Sequence, residues 1–191
     1  MNHQTYPPKH ILSENRTISS KHSTNIRTIT RPRRAKFFIT QLNCQGLLGK
    51  FAFLKELIME VWKSDIICLS ETWLQPTCTK SSSLSIPNYF FFRRDRGSRT
   101  HGGLIIYART GTTISRRTDL EHEDIECITL ELTTSTTHHL IFFCYRPSNC
   151  KPDHFFSSLS TVLSRAETLN QAWSLTLLGN FNAKHQTWNP Q

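Results

Sequence analysis

The chain alternates short apolar runs of strand length with only two segments whose apolar residues recur every three or four positions. The runs with the most continuous apolar character are 37–42, 66–69, 139–145 and 175–178. The two periodic segments cover 50–63 and the stretch that opens at Pro152, a residue favoured in the first turn of a helix. Runs of four to eight apolar residues are typical of buried strands. The sequence therefore predicts strand–helix–strand at both ends of the chain.

Between these ends the pattern predicts strands joined by short turns, at 89–92, 103–108, 112–115 and 125–132. Partial alternation of apolar and polar residues in the last of these runs favours an antiparallel sheet with one wetter face. Residues 75–87 contain proline, threonine and a serine run, which favours a loop. The whole order predicts an α/β fold in which two sheets pack together with helices outside. Because no second strand–helix group follows the last strand, one sheet edge is expected to stay unpaired.

The positive charge of the chain is concentrated near its start. Residues 1–36 carry eight Lys/Arg against one acid, which supplies +7 of the formal net charge of +9. We predict a basic, disordered arm over 1–35 and a folded domain over 36–191. Contact with a polyanion is one interpretation of such an arm, and a solvated leader is the other.

Two further features bear on location. The first thirty residues contain no continuous apolar segment, and no apolar run approaches the roughly 18 residues of a membrane span, so we predict neither a secretory signal nor a membrane partner. The six cysteines show no Cys-x-x-Cys or zinc-ligand spacing. The chain is therefore predicted to be intracellular and reduced.

Polar residues follow four of the apolar runs, at the point where each strand is predicted to end. They are Asn43, Glu71, Tyr145, Asn180 and Asn182. Carboxylate and amide oxygens are ligands that Mg²⁺ prefers, so Glu71 and Asn43 are candidate metal ligands. Tyr145 and Asn182 are candidate donors to a phosphate oxygen. The alternatives are a solvated carboxylate at the rim of a sheet and a strand-end tyrosine that only packs its ring.

Several basic residues are candidates for contact with nucleic acid. Arg93, Arg94 and Arg96 lie in a charged segment before Gly102, which is either a solvated hairpin turn or a ridge that contacts phosphates. Arg146 adds charge next to Tyr145, and His185 follows the last motif at a spacing that fits a loop beside the site.

Taken together, the motifs resemble those of the endonuclease/exonuclease/phosphatase superfamily, and more closely the apurinic-type endonuclease domain of non-LTR retrotransposons. The resemblance rests on Leu-Asn-Cys-Gln-Gly at 42–46, Ser-Glu-Thr-Trp at 70–73, Arg-Asp-Arg at 94–96, Tyr-Arg-Pro at 145–147 and Gly-Asn-Phe-Asn-Ala-Lys-His at 179–185. It implies a four-layered α/β sandwich that cleaves phosphodiester bonds with Mg²⁺ or Mn²⁺. It also implies DNA as substrate, a reverse transcriptase as partner and a nuclear location.

The resemblance assigns a role to each matching position. Glu71 matches the metal ligand, Asn43 the amide beside it, and Tyr145 the tyrosine of the phosphate site. Asn182 matches the asparagine of an Asp-x-Asn pair, in which Asn180 stands where the family has the aspartate that orients or deprotonates the attacking water. An amide cannot accept that proton. The family's closing strands, with a final histidine, would lie beyond Gln191, so the fold is expected to be incomplete at the C-terminus.

These departures predict an endonuclease-type domain of low or no activity, because losing a general base typically costs about 10²–10⁴ in rate. Two other functions stay open. One is a non-catalytic remnant that binds nucleic acid, for which binding would survive the loss of Glu71. The other is a phosphoesterase for small substrates, which would release phosphate without nicking a plasmid.

Overall fold

A computed structural model of the chain describes residues 37–77, 79–97, 101–133, 137–169 and 173–183. The predictions of a disordered arm over 1–35 and of a contact by His185 fall outside these residues. Within them, no helix is long and apolar enough to cross a membrane.

The first sheet contains four strands in the order β1-β2-β4-β3. They are β1 (Ile39–Asn43), β2 (Ile66–Ser70), β3 (Tyr89–Arg94) and β4 (Leu104–Arg109). β1 runs parallel to β2, whereas β4 is antiparallel to both of its neighbours. The parallel pair is connected by a helix, as parallel neighbours require a long crossover.

The second sheet also has four strands, in the order β5-β6-β7-β8. They are β5 (Ile114–Arg116), β6 (Glu126–Thr133), β7 (His138–Tyr145) and β8 (Ser174–Asn180). The first three are antiparallel, and β8 runs parallel to β7. The predicted run of antiparallel strands between two strand–helix–strand units is therefore confirmed.

Each sheet carries one helical segment. Between β1 and β2 a 3₁₀ turn (Leu48–Lys50), helix α1 (Phe51–Glu56) and a π-helical turn (Leu57–Trp62) follow one another directly. Helix α2 (Pro152–Glu167) connects β7 to β8 and has its proline in the first turn. Two isolated 3₁₀ turns occur at Ser81–Leu84 and Thr118–Leu120.

The alternation of side chains along the strands produces four layers. In β2, Ile67 and Leu69 pack against the first helical segment, while Ile66 and Cys68 face the second sheet. In β7, Phe142 packs with α2 and Phe143 lies between the sheets. Successive side chains of a strand point to opposite faces, so each sheet buries one face on a helix and one on the other sheet. This helix–sheet–sheet–helix order confirms the predicted four-layered sandwich.

The strand boundaries differ from the prediction at β3. The sequence pattern ends this strand at Phe92 and assigns the following arginines to a turn, whereas the strand continues through Arg94. Arg93 and Arg94 pair with Ile105 and Leu104 of β4. Pairing with a buried neighbouring strand thus extends β3 beyond its apolar residues.

Candidate active site

The register of the strands brings the predicted site residues to one end of the sandwich. Asn43 and Ser70 are partners at the ends of the parallel strands β1 and β2. In the second sheet, Glu126, Tyr145 and Asn180 form one row across β6, β7 and β8. Two residues along from this row, Ile128 and Phe143 lie in the core between the sheets. Because side chains alternate with a period of two, the row faces the first sheet as well.

The carboxylate of Glu71 connects three of the predicted residues. Asn43 Nδ2 donates a hydrogen bond of 2.7 Å to Glu71 Oε1. The Tyr145 side chain lies close enough for the negative charge of Glu71 to raise the pKa of its phenol. Asn43 and Tyr145, which are far apart in the sequence, therefore both lie beside the Glu71 carboxylate, and the roles predicted for these residues stay predictions.

Tyr145 is held as a proton donor. Its side chain is 5% exposed. Burial raises the pKa of Tyr145 to about 12, and the negative charges of Glu71 and Glu126 act in the same direction. At neutral pH the phenol is protonated, as an ordinary tyrosine is, and can donate to an anionic oxygen.

The segment after β8 is folded by hydrogen bonds to its own polar side chains. The backbone N–H of Asn182 donates to Asn180 Oδ1 at 3.1 Å. Asn182 Nδ2 donates to the carbonyl oxygen of Arg146 at 2.7 Å. The Asn180 amide is thus oriented by an Asx-type turn, and its oxygen lacks the basicity of a carboxylate.

Arg146, the residue after Tyr145, makes three hydrogen bonds within the protein. Its guanidinium donates to the carbonyl oxygens of Cys150 at 2.7 Å, Phe181 at 2.6 Å and Asn182 at 2.6 Å. Arg146 is only 6% exposed. Its planar group therefore ties the segment that follows Asn180 to the end of β7, and its contact with nucleic acid stays a prediction.

The three arginines predicted as a ridge are each engaged within the protein. Arg93 pairs with Asp95. Arg94 donates to the carbonyl oxygens of Cys127 and His122 at 3.1 and 2.9 Å. Arg96 Nε lies 2.9 Å from Glu126 Oε1. These side chains are 16%, 23% and 18% exposed, so they do not form a freely solvated hairpin.

Arg94 and Arg96 line a cavity of about 610 Å³ together with Tyr145, whereas Asn43, Glu71, Asn180 and Asn182 do not line it. Glu126, Asn149 and His154 also contribute to its wall. Contact with phosphate by Arg94 and Arg96 at this cavity stays a prediction. Arg93 is directed elsewhere, since its guanidinium also donates to the carbonyl oxygen of Thr79 at 3.1 Å.

Sequence reasoning did not single out Glu126. Its carboxylate accepts a hydrogen bond of 2.6 Å from the backbone N–H of Gly103. Burial raises the pKa of Glu126, although the Gly103 N–H and the charges of Arg96 and Arg94 oppose this. The only signal in the sequence is its place at the start of a strand-length run. Its register with Tyr145, which brings it to the site, depends on strand pairing.

Strained backbone is concentrated around the same end of the sandwich. Five non-glycine residues in the segments bordering the site have positive φ angles between 45° and 73°: Gln45, Glu71, Trp73, His101 and Asn182. This region of conformational space costs about 1–3 kcal/mol per residue for most side chains, and such residues cluster at functional sites. The Trp73 indole covers Gly46, where an added Cβ would lie 2.8 Å from its ring.

The residues present fit a hard divalent cation. Glu71 offers carboxylate oxygens and Asn43 an amide oxygen, and Ser70 Oγ beside them is buried without a hydrogen-bond partner among the described residues. In the part of the chain that the structure describes, no group of three or more His, Cys, Asp or Glu could hold a metal. Mg²⁺ accepts such a sparse protein shell, because it keeps several waters and binds substrate phosphate.

No family model matches the chain, and no curated protein matches it. Solved structures do. An AP endonuclease from Leishmania major is similar at 19% identity with a TM-score of 0.60, over 76% of this chain and 55% of that one. The endonuclease domain of TRAS1, a telomere-specific non-LTR retrotransposon, is similar at 14% identity with a TM-score of 0.58. This match covers 78% of this chain and 62% of that one. The Neisseria 3′ phosphatase NExo, bound to a product DNA hairpin, is similar at 20% identity with a TM-score of 0.55. This match covers 75% of this chain and 57% of that one.

The chain therefore shares the fold of these AP endonuclease, retrotransposon endonuclease-domain and 3′ phosphatase structures, in agreement with the predicted four-layered α/β sandwich. It spans less than two thirds of the length of each of these three structures.

Proposed function

We propose that this chain is a metal-dependent DNA endonuclease domain of the retrotransposon type whose chemistry is weakened at Asn180. The observation that carries the proposal is the meeting of Asn43, Glu71 and Tyr145 at one carboxylate, at the end of the sandwich where the two sheets face each other. This set offers oxygen ligands for a cation and a protonated donor for a phosphate oxygen.

Each residue has a separate part in the proposed reaction. Glu71 and Asn43 would hold Mg²⁺ or Mn²⁺, which when bound supplies positive charge to the phosphate. Tyr145 donates its proton in a hydrogen bond to a phosphate oxygen, and its raised pKa extends to higher pH the range in which the phenol stays protonated. Asn182 is held by Arg146 and can direct its second amide hydrogen toward the same phosphate.

Asn180 is the weak point of the site. It lies beside Tyr145 in the row across β7 and β8, where a carboxylate would be placed to take a proton from the attacking water. The Asn180 amide accepts a hydrogen bond from Asn182 N–H, but it cannot accept a proton. We expect cleavage to be slower by about 10²–10⁴ than with a carboxylate at this position.

DNA as substrate is supported by the solved structures of similar fold, which include a retrotransposon endonuclease domain and an enzyme bound to a DNA hairpin. The net charge of +9 also favours a polyanionic partner. By the same resemblance we propose a reverse transcriptase as functional partner and the nucleus as location.

A second candidate is binding of DNA without cleavage, and the amide at position 180 is the observation that favours it. Phosphate contacts require neither a general base nor a metal ligand. Binding that survives Glu71→Ala, with no cleavage by any variant, would support this candidate over the endonuclease.

The test is nicking of supercoiled plasmid with Mg²⁺ by the unmodified chain, Asn180→Asp and Glu71→Ala. We expect trace nicking or none from the unmodified chain, a gain of about 10²–10⁴ in Asn180→Asp, and none in Glu71→Ala. Asn88→Asp is the matched control, since it adds the same charge at an exposed turn residue just before β3. It should leave nicking unchanged.

Three outcomes would contradict the proposal. Strong nicking by the unmodified chain that is lost in Glu71→Ala would mean that another group activates the water. An equal gain in Asn180→Asp and Asn88→Asp would indicate a general charge effect. Release of phosphate from small esters without plasmid nicking would instead indicate a phosphoesterase.

A further inference from the structure

We infer that Glu126 is a positioning residue that holds Arg96 toward the cavity beside Tyr145, so that phosphate binding by Arg96 depends on Glu126. This inference rests on the proposed function for the identity of the ligand, a DNA backbone phosphate. The arrangement of Glu126 and Arg96 itself is independent of that proposal.

The Glu126 carboxylate joins the two sheets at the edge of the site. Glu126 opens β6 in the second sheet, whereas its two partners belong to the first sheet and its connections. Gly103 N–H, just before β4, donates to Oε2 at 2.6 Å, and Arg96 Nε, just after β3, lies 2.9 Å from Oε1. The carboxylate thus fixes both ends of the connection between β3 and β4 to the strand that carries it.

The stem of Arg96 is confined on a second side by Gly102. A Cβ atom added to Gly102 would lie 2.6 Å from Arg96 Cδ and 2.8 Å from a Glu126 carboxylate oxygen. Gly102 has a φ of 79°, a conformation that favours glycine. The guanidinium therefore pairs with Glu126 while its stem is held against the backbone, and Arg96 lines the same cavity as Tyr145.

A buried carboxylate beside a site proposed to bind DNA is electrostatically unfavourable for that binding. Glu126 is 13% exposed on its side chain, and its negative charge opposes the approach of a phosphate. If Glu126 were only a nearby charge, its removal would strengthen DNA binding. If it positions Arg96, its removal would weaken DNA binding. The two interpretations therefore predict changes of opposite sign.

The experiment measures the affinity of the full chain for duplex DNA by fluorescence anisotropy over a range of salt concentrations, with EDTA present to prevent cleavage. We compare the unmodified chain with Glu126→Gln, Arg96→Ala and the double variant. Glutamine keeps the size of the side chain and an acceptor for Gly103 N–H but removes the charge that holds Arg96.

We expect Glu126→Gln and Arg96→Ala each to raise the Kd for duplex DNA about 10-fold at low salt. Each should also lower, by about 1, the magnitude of the slope of the logarithm of the binding constant against the logarithm of the salt concentration. The double variant should bind no more weakly than either single variant, because both changes remove the same contact. Glu131→Gln is the matched control. Glu131 lies on the same strand, pairs with Arg117 at 2.8 Å and is 15% exposed, yet it is five residues away from the site. Its loss should leave DNA affinity unchanged.

A second measurement separates this inference from the proposed function. The guanidinium of Arg96 should show restricted motion in an NMR relaxation measurement on the unmodified chain and faster motion in Glu126→Gln, while that of Arg117 stays unchanged. A mobile Arg96 guanidinium in the unmodified chain would overturn the positioning role. Tighter DNA binding by Glu126→Gln, or additive losses in the double variant, would also overturn it. A restricted Arg96 guanidinium in a chain that binds no DNA would overturn the proposed function and the phosphate contact together.

Discussion

At the scale of single residues, the charged side chain of Arg146 next to Tyr145 donates hydrogen bonds to the backbone of the protein itself. Its position next to Tyr145 makes it a natural candidate for phosphate contact. In the structure its guanidinium donates to three carbonyl oxygens, two of them in the segment that carries Asn180 and Asn182. Those three bonds fix the geometry of the two amides relative to Tyr145.

Replacing Arg146 with lysine should therefore reduce stability. A lysine ammonium lacks the planar fork needed to reach three carbonyls, and each buried carbonyl left without a partner costs about 1–3 kcal/mol. We expect Arg146→Lys to lower the free energy of unfolding by at least about 2 kcal/mol in urea denaturation. Arg165→Lys, at an exposed position in the last turn of α2, is the control and should stay within about 0.5 kcal/mol.

Unchanged stability together with weaker DNA binding would support the contact of Arg146 with nucleic acid that the sequence predicts. If Arg146→Lys leaves stability unchanged but weakens DNA binding, the guanidinium contacts nucleic acid and its internal hydrogen bonds are replaceable.

At the scale of elements, the end of β8 depends on a glycine. Gly179 pairs with Cys144 of β7, and a Cβ atom at this position would lie only 1.9 Å from the Cys144 carbonyl oxygen. No side chain fits there without moving one strand away from the other. Because Asn180 follows directly, this close approach also places the amide opposite Tyr145.

Gly179→Ala should separate β8 from β7 at this end. We expect a loss of about 3 kcal/mol or more in the free energy of unfolding. The Arg146 amide, which donates to Asn180 O at 2.9 Å, should then exchange its hydrogen faster in NMR. Gly111→Ala is the control, because Gly111 has a φ of 90° and open space around it, so it reports backbone strain without a clash. It should cost about 1–2 kcal/mol. Equal losses in both variants would contradict the steric argument.

The elements themselves were largely predictable, because periodicity and strand length depend on neighbouring residues. The helical segment between β1 and β2 and helix α2 appear where apolar residues recur every three or four positions. The end of β3 was not predictable in the same way. Arg93 and Arg94 are poor strand residues by composition, and their strand conformation comes from pairing with β4. Strand pairing is a non-local interaction that composition does not encode.

At the scale of the whole molecule, the site depends on the core between the two sheets. Asn43 and Glu71 come from the first sheet and its connections, whereas Tyr145 and Asn180 come from the second. Phe143 lies two residues before Tyr145 in that core and is fully buried. The packing of the two sheets therefore sets the separation between the carboxylate and the residues that face it.

Phe143→Ala should destabilise both sheets together, by about 3–5 kcal/mol, because it removes a large side chain that contacts both. Urea unfolding followed by tryptophan fluorescence and by circular dichroism should show one coincident transition at lower denaturant. The control is Phe53→Ala, whose side chain is 63% exposed and should contribute less than about 1 kcal/mol. Two separate transitions would show that the sheets unfold independently and would contradict this account.

The sequence by itself determined the strands, the two helical segments, the four polar motifs and the amide at position 180. These are properties of local pattern and residue chemistry, which require no knowledge of distant contacts. Only the tertiary structure decided that Asn43 and Tyr145 lie beside Glu71, that Arg146 donates to the segment after Asn180 and that Glu126 pairs in register with Tyr145. The reason is that strand register and sheet packing bring together residues more than a hundred positions apart, and no local pattern specifies which of them will face each other.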